Sequence, residues 1–168
     1  MHDQPKLEPL EASDFFSDGA SARPLVAGTV ARSMLNEDEA YDTGKVNGEP
    51  VTTFPFEITA DVFSRGRERY DIYCSPCHSR TGYGDGMIVR RGYRRPPSFH
   101  SDVLQMSPPG HFFDVMTNGF GAMPDYRVEV PVRDRWAIAA YIRALQLSQH
   151  ATVADLSQED RDALAKLR

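Results

Sequence analysis

Cys74-Ser75-Pro76-Cys77-His78 holds the only two cysteines of a 168-residue chain. They stand three positions apart, with a histidine immediately behind. That spacing is the attachment pattern of a c-type haem. Two thiols add across the two vinyl groups of a porphyrin, and the next residue's imidazole takes one face of the iron. The chemistry implied is one-electron redox, done by the cofactor and tuned by the polypeptide. Other uses of the pentapeptide fit less well. A structural zinc site takes four ligands, usually as two Cys/His pairs; there is no second CxxC, and His2, His100, His111 and His150 form no HxxxH pair. A redox dithiol belongs in a βαβ frame, and none is apparent. A disulfide between Cys74 and Cys77 would close too small a loop to stabilise much. Covalent haem attachment also points to an oxidising compartment outside the cytoplasm.

The flanking sequence predicts mostly helix. Thr59 and Asp61 are candidate caps for a helix over Asp61–Tyr73 that runs straight into Cys74. Val62, Phe63, Gly66, Tyr70 and Tyr73 share roughly one face of it. A helical glycine costs about 0.5–1 kcal/mol against alanine, so Gly66 is expected where another helix comes close. Residues 79–97 read as loop, with Gly82, Gly84, Gly86, Gly92 and Pro96-Pro97. They carry Arg80, Arg90, Arg91, Arg94 and Arg95, candidates for propionate pairing or a docking patch. A short helix is predicted over 109–118, opened by Pro109 and ended by Asn118-Gly119. The strongest helix is Val132–Leu147, apolar on a broad side through Trp136, Ile138, Ala139, Ala140, Tyr141, Ile142 and Leu145. A weak terminal helix with Ser157 as cap is expected over 157–167.

Residues 1–60 read as an arm. Pro5, Pro9, Pro24, Pro50 and Pro55 interrupt them, and no helical stripe lasts beyond two turns. Phe15-Phe16, Leu25-Val26, Tyr41 and Phe54-Pro55-Phe56 are spaced apolar anchors on an acidic strip. Such a strip suits wrapping a surface, either of its own domain or of a partner. The charge is split accordingly: residues 1–60 are net −7, 61–147 net +3 and 148–168 net −1. Arginine outnumbers lysine 16 to 3, a bias that suits forked, partly buried ion pairs. No apolar run approaches the ~20 residues that span a bilayer. The start lacks a basic, apolar leader, so an exported precursor is expected to begin upstream of Met1.

The iron's second face needs a ligand. Met1, His2 and Met34 lie in the arm, His150 trails the last helix, and Met87, Met106, Met116 and His111 sit in less suitable contexts. Met123 is best placed, in the small-residue loop Gly119-Phe120-Gly121-Ala122-Met123-Pro124. His111, His100 or an open site are the alternatives. His/Met ligation raises the potential relative to His/His.

Taken in order, these features resemble a class I cytochrome c domain: Gly66 and Tyr70 before the CxxCH, a proline loop, Met123-Pro124, and a final helix with Trp136 and Tyr141. The resemblance implies crossed first and last helices, with Gly66 and Tyr70 meeting Ile138 and Tyr141. It also implies that a carbonyl of Pro97 or Pro96 orients His78. Pro97, Tyr126 and Trp136 join Cys74, Cys77, His78 and Met123 as expected haem-binding residues, with His78 and Met123 as the metal ligands. The expected fold is thus mostly α, a class I cytochrome c fold around one covalent haem c. Its organisation is an extended arm over 1–60, a haem domain over 61–147 and a tail with a short helix over 148–168.

A narrower resemblance rests on Phe15-Phe16-Ser17-Asp18-Gly19-Ala20 through Arg32 and on Tyr73–His78 followed by Gly82-Tyr83-Gly84-Asp85-Gly86. These stretches look like the monohaem cytochrome c subunit of bacterial alternative complex III. This implies electron transfer without bond chemistry, within a membrane quinol-oxidising complex on the periplasmic face of the inner membrane. The implied partners are other redox subunits, including a multihaem cytochrome, and a downstream acceptor such as a terminal oxidase or soluble carrier. The arm would wrap partner subunits. In that family the subunit is lipid-anchored through an N-terminal cysteine; here an anchor would have to lie upstream of Met1, or membrane association is indirect. No nucleic-acid partner is expected. A free periplasmic shuttle, the haem domain of another oxidoreductase, and a haem sensor with an open iron site are the competing functions.

Overall fold

The structure is a computed structural model, and it describes residues 4–8, 10–24, 26–30, 35 and 37–166. Met1, His2, Leu25 and Met34 lie outside the described residues. The chain divides into two compact units, Met1–Asn36 and Glu37–Arg168.

In the first unit a tight loop is closed by a bridge between Ala12 and Ala20. Ser13 N–H donates to the Gly19 carbonyl and Ser21 N–H to the Glu11 carbonyl, both at 3.0 Å. The Arg23 guanidinium forks onto the Asp18 carboxylate at 2.9 and 2.6 Å and covers the Phe16 ring at 4.0 Å. Hydrogen bonding from Arg23 holds the Asp18 carboxyl down at about 2. Leu7, Leu10, Phe15, Val26, Val30 and Leu35 are exposed.

The second unit is mostly helical and is organised by two helices, α2 (Ala60–Tyr73) and α7 (Val132–Ser148). They pack against each other. Thr59 caps α2, its hydroxyl accepting from Val62 N–H at 3.3 Å. The Arg65 guanidinium reaches across to the Asp134 carboxylate in the first turn of α7, with contacts at 2.9 and 2.8 Å. A carboxylate there also faces the positive end of the helix dipole. Tyr70 is fully buried. Its ring packs on Tyr141 and Phe99, with centroids 5.2 and 6.3 Å away, and its hydroxyl donates to the Ser79 carbonyl at 2.7 Å.

The unit begins at Glu37, so the last part of the stretch read as an arm packs with the helices that follow it. Asp38 caps α1 (Glu39–Thr43) through Tyr41 N–H at 3.0 Å. A small antiparallel hairpin follows, β1 (Lys45–Val46) and β2 (Glu49–Pro50). Asn47 and Gly48 turn it with φ of 54° and 85°, the left-handed pair that an Asn-Gly hairpin turn requires. The anchors in this stretch are used internally: Tyr41, Phe54 and Phe56 pack against the core.

The loop predicted over 79–97 contains a single helical turn, α4 (Met87–Arg90), and a second short helix, α5 (Asp102–Met106), precedes the proline pair Pro108-Pro109. Both are too short for apolar periodicity to register. α6 (Pro109–Asn118) forms as predicted, ending at Gly119. A 3-10 turn (Val153–Asp155) and α8 (Gln158–Lys166) complete the chain. Asp160 N–H donates to the Ser157 hydroxyl at 3.1 Å, the expected cap.

Candidate haem-binding site

The pentapeptide is itself helical. α2 ends at Cys74, and α3 (Ser75–His78) is a single turn. Cys77 N–H and His78 N–H both donate to the Cys74 carbonyl, at 3.2 and 2.8 Å. One helical turn therefore sets the two sulfurs and the imidazole side by side. Pro76 sits in the first turn of α3, where its missing N–H costs nothing. The following loop closes over this turn: Gly84 N–H donates to the His78 carbonyl at 2.9 Å and Gly86 N–H to the Cys77 carbonyl at 3.0 Å. A Cβ on Gly86 would stand 2.3 Å from the Pro76 carbonyl oxygen. This glycine serves close approach rather than looseness.

Cys74, Cys77 and His78 open onto a cavity of about 1100 Å³. Its walls include Leu104, Phe112, Val115, Met116, Val130, Ile138 and Ile142, and its rim carries Arg94 and Arg95. The segment that brings Phe99 and Leu104 to the cavity is tied to α7. Gln146 donates to the carbonyls of Phe99 and Leu104 at 2.8 and 3.1 Å, and Arg143 donates to those of Gln105 and Ser107.

Electrostatics set the protonation states. Burial pushes the His78 imidazole down to about 4, so it is neutral, the form that ligates a metal. The Phe99 ring stacks flat on it, 4.6 Å between centroids and 8° between planes. His78 Nδ1 is buried without a hydrogen-bond partner, and the residue lines the cavity. Burial, then the neighbouring Cys77, pushes the Cys74 thiol up to about 12. Both cysteines are free thiols. Among the described residues, no group of three or more His, Cys, Asp or Glu could hold a metal ion, so the donor set does not suit a protein-ligated zinc. Two free thiols beside one neutral imidazole, facing a large apolar cavity, do suit a covalently attached porphyrin.

Residues 61–142 match the family model for cytochrome c oxidase, cbb3-type, subunit III. The mostly helical fold of this segment is consistent with a class I cytochrome c domain. A solved structure of the reducing HAO-like protein complex of Kuenenia stuttgartiensis is similar at 22% identity and a TM-score of 0.49, over 64% of this chain. This chain spans about half of that one, covering 54% of its length. No curated protein matches.

The expected residues of the cytochrome domain divide in space. Cys74, Cys77, His78, Pro97, Met123 and Tyr126 all line the cavity. Trp136 is not among its lining residues; it is fully buried behind the wall, stacked on Phe113 at 4.5 Å, with its indole N–H donating to the Tyr41 carbonyl at 2.8 Å. Its role is structural, because the large ring fills the space between α6, α7 and residues 41–54. Pro96 also lines the cavity, yet neither proline carbonyl accepts from His78 Nδ1. Stacking by Phe99, a residue that sequence reading did not single out, orients the ring here. The adjoining Pro96-Pro97 is the only nearby signal that could have pointed to it.

Of the alternative iron ligands, His111 and Met116 line the cavity. His100 does not; its Nε2 lies 2.6 Å from the Thr81 carbonyl oxygen. Met87 and Met106 are exposed and outside the lining. Arg80 and Arg90 lean on Asp71 and Asp85, and of the five loop arginines only Arg94 and Arg95 face the cavity. Met123 is held in a reverse turn by paired bonds with Phe120, both 3.0 Å. Gly119 and Gly121 supply its positive φ values of 74° and 59°.

When bound, haem c supplies reversible one-electron chemistry at its iron. The chain's own residues do the rest. Cys74 and Cys77 would hold the ring by thioether bonds, His78 would supply a nitrogen ligand to its iron, and the apolar walls would keep water from the group. A cytochrome c domain of this kind serves haem-based electron transfer.

Proposed function

We propose that this chain is the monohaem cytochrome c subunit of a bacterial alternative complex III, with His78 and Met123 as the axial ligands. It takes single electrons from neighbouring redox subunits, including a multihaem cytochrome, and passes them to a terminal oxidase or soluble carrier on the periplasmic side. It makes and breaks no substrate bond. The observation that carries this reading is the first compact unit. A freely diffusing carrier gains nothing from about 36 residues outside its haem domain, yet here they present Leu10, Phe15 and Val26 to solvent. Exposed aromatic and aliphatic side chains on a preformed loop suit burial against another subunit. Among the described residues no helix is long and apolar enough to cross a membrane.

The test is gentle solubilisation of membranes followed by identification of what stays bound. A multihaem cytochrome and an iron–sulfur subunit are expected. Recovery of the chain alone in the soluble fraction would favour a shuttle. Recovery with a catalytic chain bearing its own cofactor would favour another oxidoreductase.

A further inference from the structure

We propose that Tyr93 is a positioning residue that latches the Met123 turn across the mouth of the haem cavity. The inference deepens the axial-ligand reading above and rests on it.

Tyr93 and Ala122 both line the cavity, from opposite loops. The Tyr93 hydroxyl donates to the Ala122 carbonyl at 3.2 Å. Ala122 immediately precedes Met123. Among the described residues this is the one hydrogen bond that reaches Phe120–Met123 from outside that tip, the other two being the Phe120–Met123 pair itself. The rest of the tip has little support: Phe120 is exposed, and no atom comes within 4 Å of the place a Cβ on Gly121 would take, while Met123 itself packs against the core.

Tyr93 itself is well anchored. Its N–H donates to the Ile88 carbonyl at 3.2 Å, Arg90 N–H donates to the Gly86 carbonyl at 3.1 Å, and Gly86 N–H donates to the Cys77 carbonyl at 3.0 Å. One chain of hydrogen bonds and a helical turn therefore joins the CxxCH turn to the backbone beside Met123. The latch ties the wall that carries His78 to the wall that carries Met123. Its hydroxyl touches neither cysteine nor histidine, so its effect is on how often the Met123 turn swings away.

An external ligand reaches the ferric iron only when Met123 has left it. Its apparent affinity scales with the fraction of protein in that open state. Losing one ordinary hydrogen bond shifts such an equilibrium by about 2- to 12-fold. The experiment is imidazole titration of the ferric holoprotein in wild type, Tyr93→Phe, Tyr83→Phe and Met123→Ala, with the Met–iron charge-transfer band and the unfolding midpoint recorded for each. Tyr83 is the control because it is similarly exposed and its hydroxyl bonds Gln149 instead, at 3.0 Å. Tyr93→Phe is expected to bind imidazole about 2- to 12-fold more tightly, at an unchanged midpoint, while Tyr83→Phe matches wild type. Equal affinity in Tyr93→Phe and wild type would overturn the latch alone, provided Met123→Ala abolishes the band. A band that survives Met123→Ala would overturn the ligand reading, and the latch with it.

Discussion

Gly66 lies so close to the backbone of Ala137 that a Cβ on it would stand 2.1 Å from the Ala137 carbonyl oxygen. A backbone atom cannot move aside as the end of a flexible side chain can. Gly66→Ala therefore separates α2 from α7 and disturbs the Tyr70–Tyr141 contact beside it. Alanine's better helix propensity returns about 1 kcal/mol, while overpacking costs typically 1–3 kcal/mol and more against backbone. Denaturant unfolding of the holoprotein should show net destabilisation, and an unchanged midpoint would refute the close crossing.

Trp136 separates structural from haem-contacting roles. Trp136→Phe removes part of a fully buried ring and the N–H that satisfies the Tyr41 carbonyl. A loss of roughly 2–4 kcal/mol is expected from the truncated packing and the orphaned acceptor. The visible haem spectrum and the redox potential should stay as in wild type, because Trp136 is outside the cavity lining. A shifted spectrum at full folding would place the indole against the cofactor after all.

Covalent attachment is tested one sulfur at a time. Cys74→Ser and Cys77→Ser should each retain a single thioether, seen as a red-shifted reduced spectrum with haem still bound to the chain after denaturation. The double variant should release its haem in denaturing gels. Retention there would mean that the link lies elsewhere.

The boundary between the units predicts two different truncations. Removing residues 1–36 should leave the haem domain's unfolding midpoint unchanged while weakening co-purification with partners. Removing residues 1–56 also strips Tyr41, Phe54 and Phe56 from the core, and the midpoint should fall sharply. Equal stability of the two would contradict the packing of residues 37–56 on α6 and α7.

The loop of the first unit has its own acid limit. The Asp18 carboxyl ordinarily titrates at 3.8 and is held at about 2, first by its hydrogen bond from Arg23. A depressed carboxylate contributes its stabilisation above the ordinary value and loses it as pH falls through the folded one. The Arg23–Asp18 fork should therefore persist at pH 4 and open between about pH 4 and 2. Carboxyl carbon shifts of Asp18 in a titration followed by NMR would show this, and a midpoint near 3.8 would count against the fork.

The sequence by itself marked the candidate attachment point, because CxxCH is local chemistry: covalent spacing alone brings two sulfurs and an imidazole within one turn. It also marked Gly66 as a place where another helix comes close, while the identity of that partner, the last helix, was implied only by the resemblance to class I cytochromes c, and its small residues marked the loop that carries Met123. What only the tertiary structure decided were the relations between distant residues. Phe54 turned out to serve this domain's own Trp136, which composition cannot distinguish from serving a partner, because both demand the same exposed-looking aromatic in an irregular stretch. Trp136 moved from the cofactor to the packing behind it, since a helical stripe says which face is buried but not against what. His78 proved to be stacked by Phe99 while its Nδ1 has no proline carbonyl to meet, and Tyr93 proved to reach Ala122 29 residues away. Neither pairing leaves a trace in spacing, because a contact between two loops depends on how the rest of the chain folds them together.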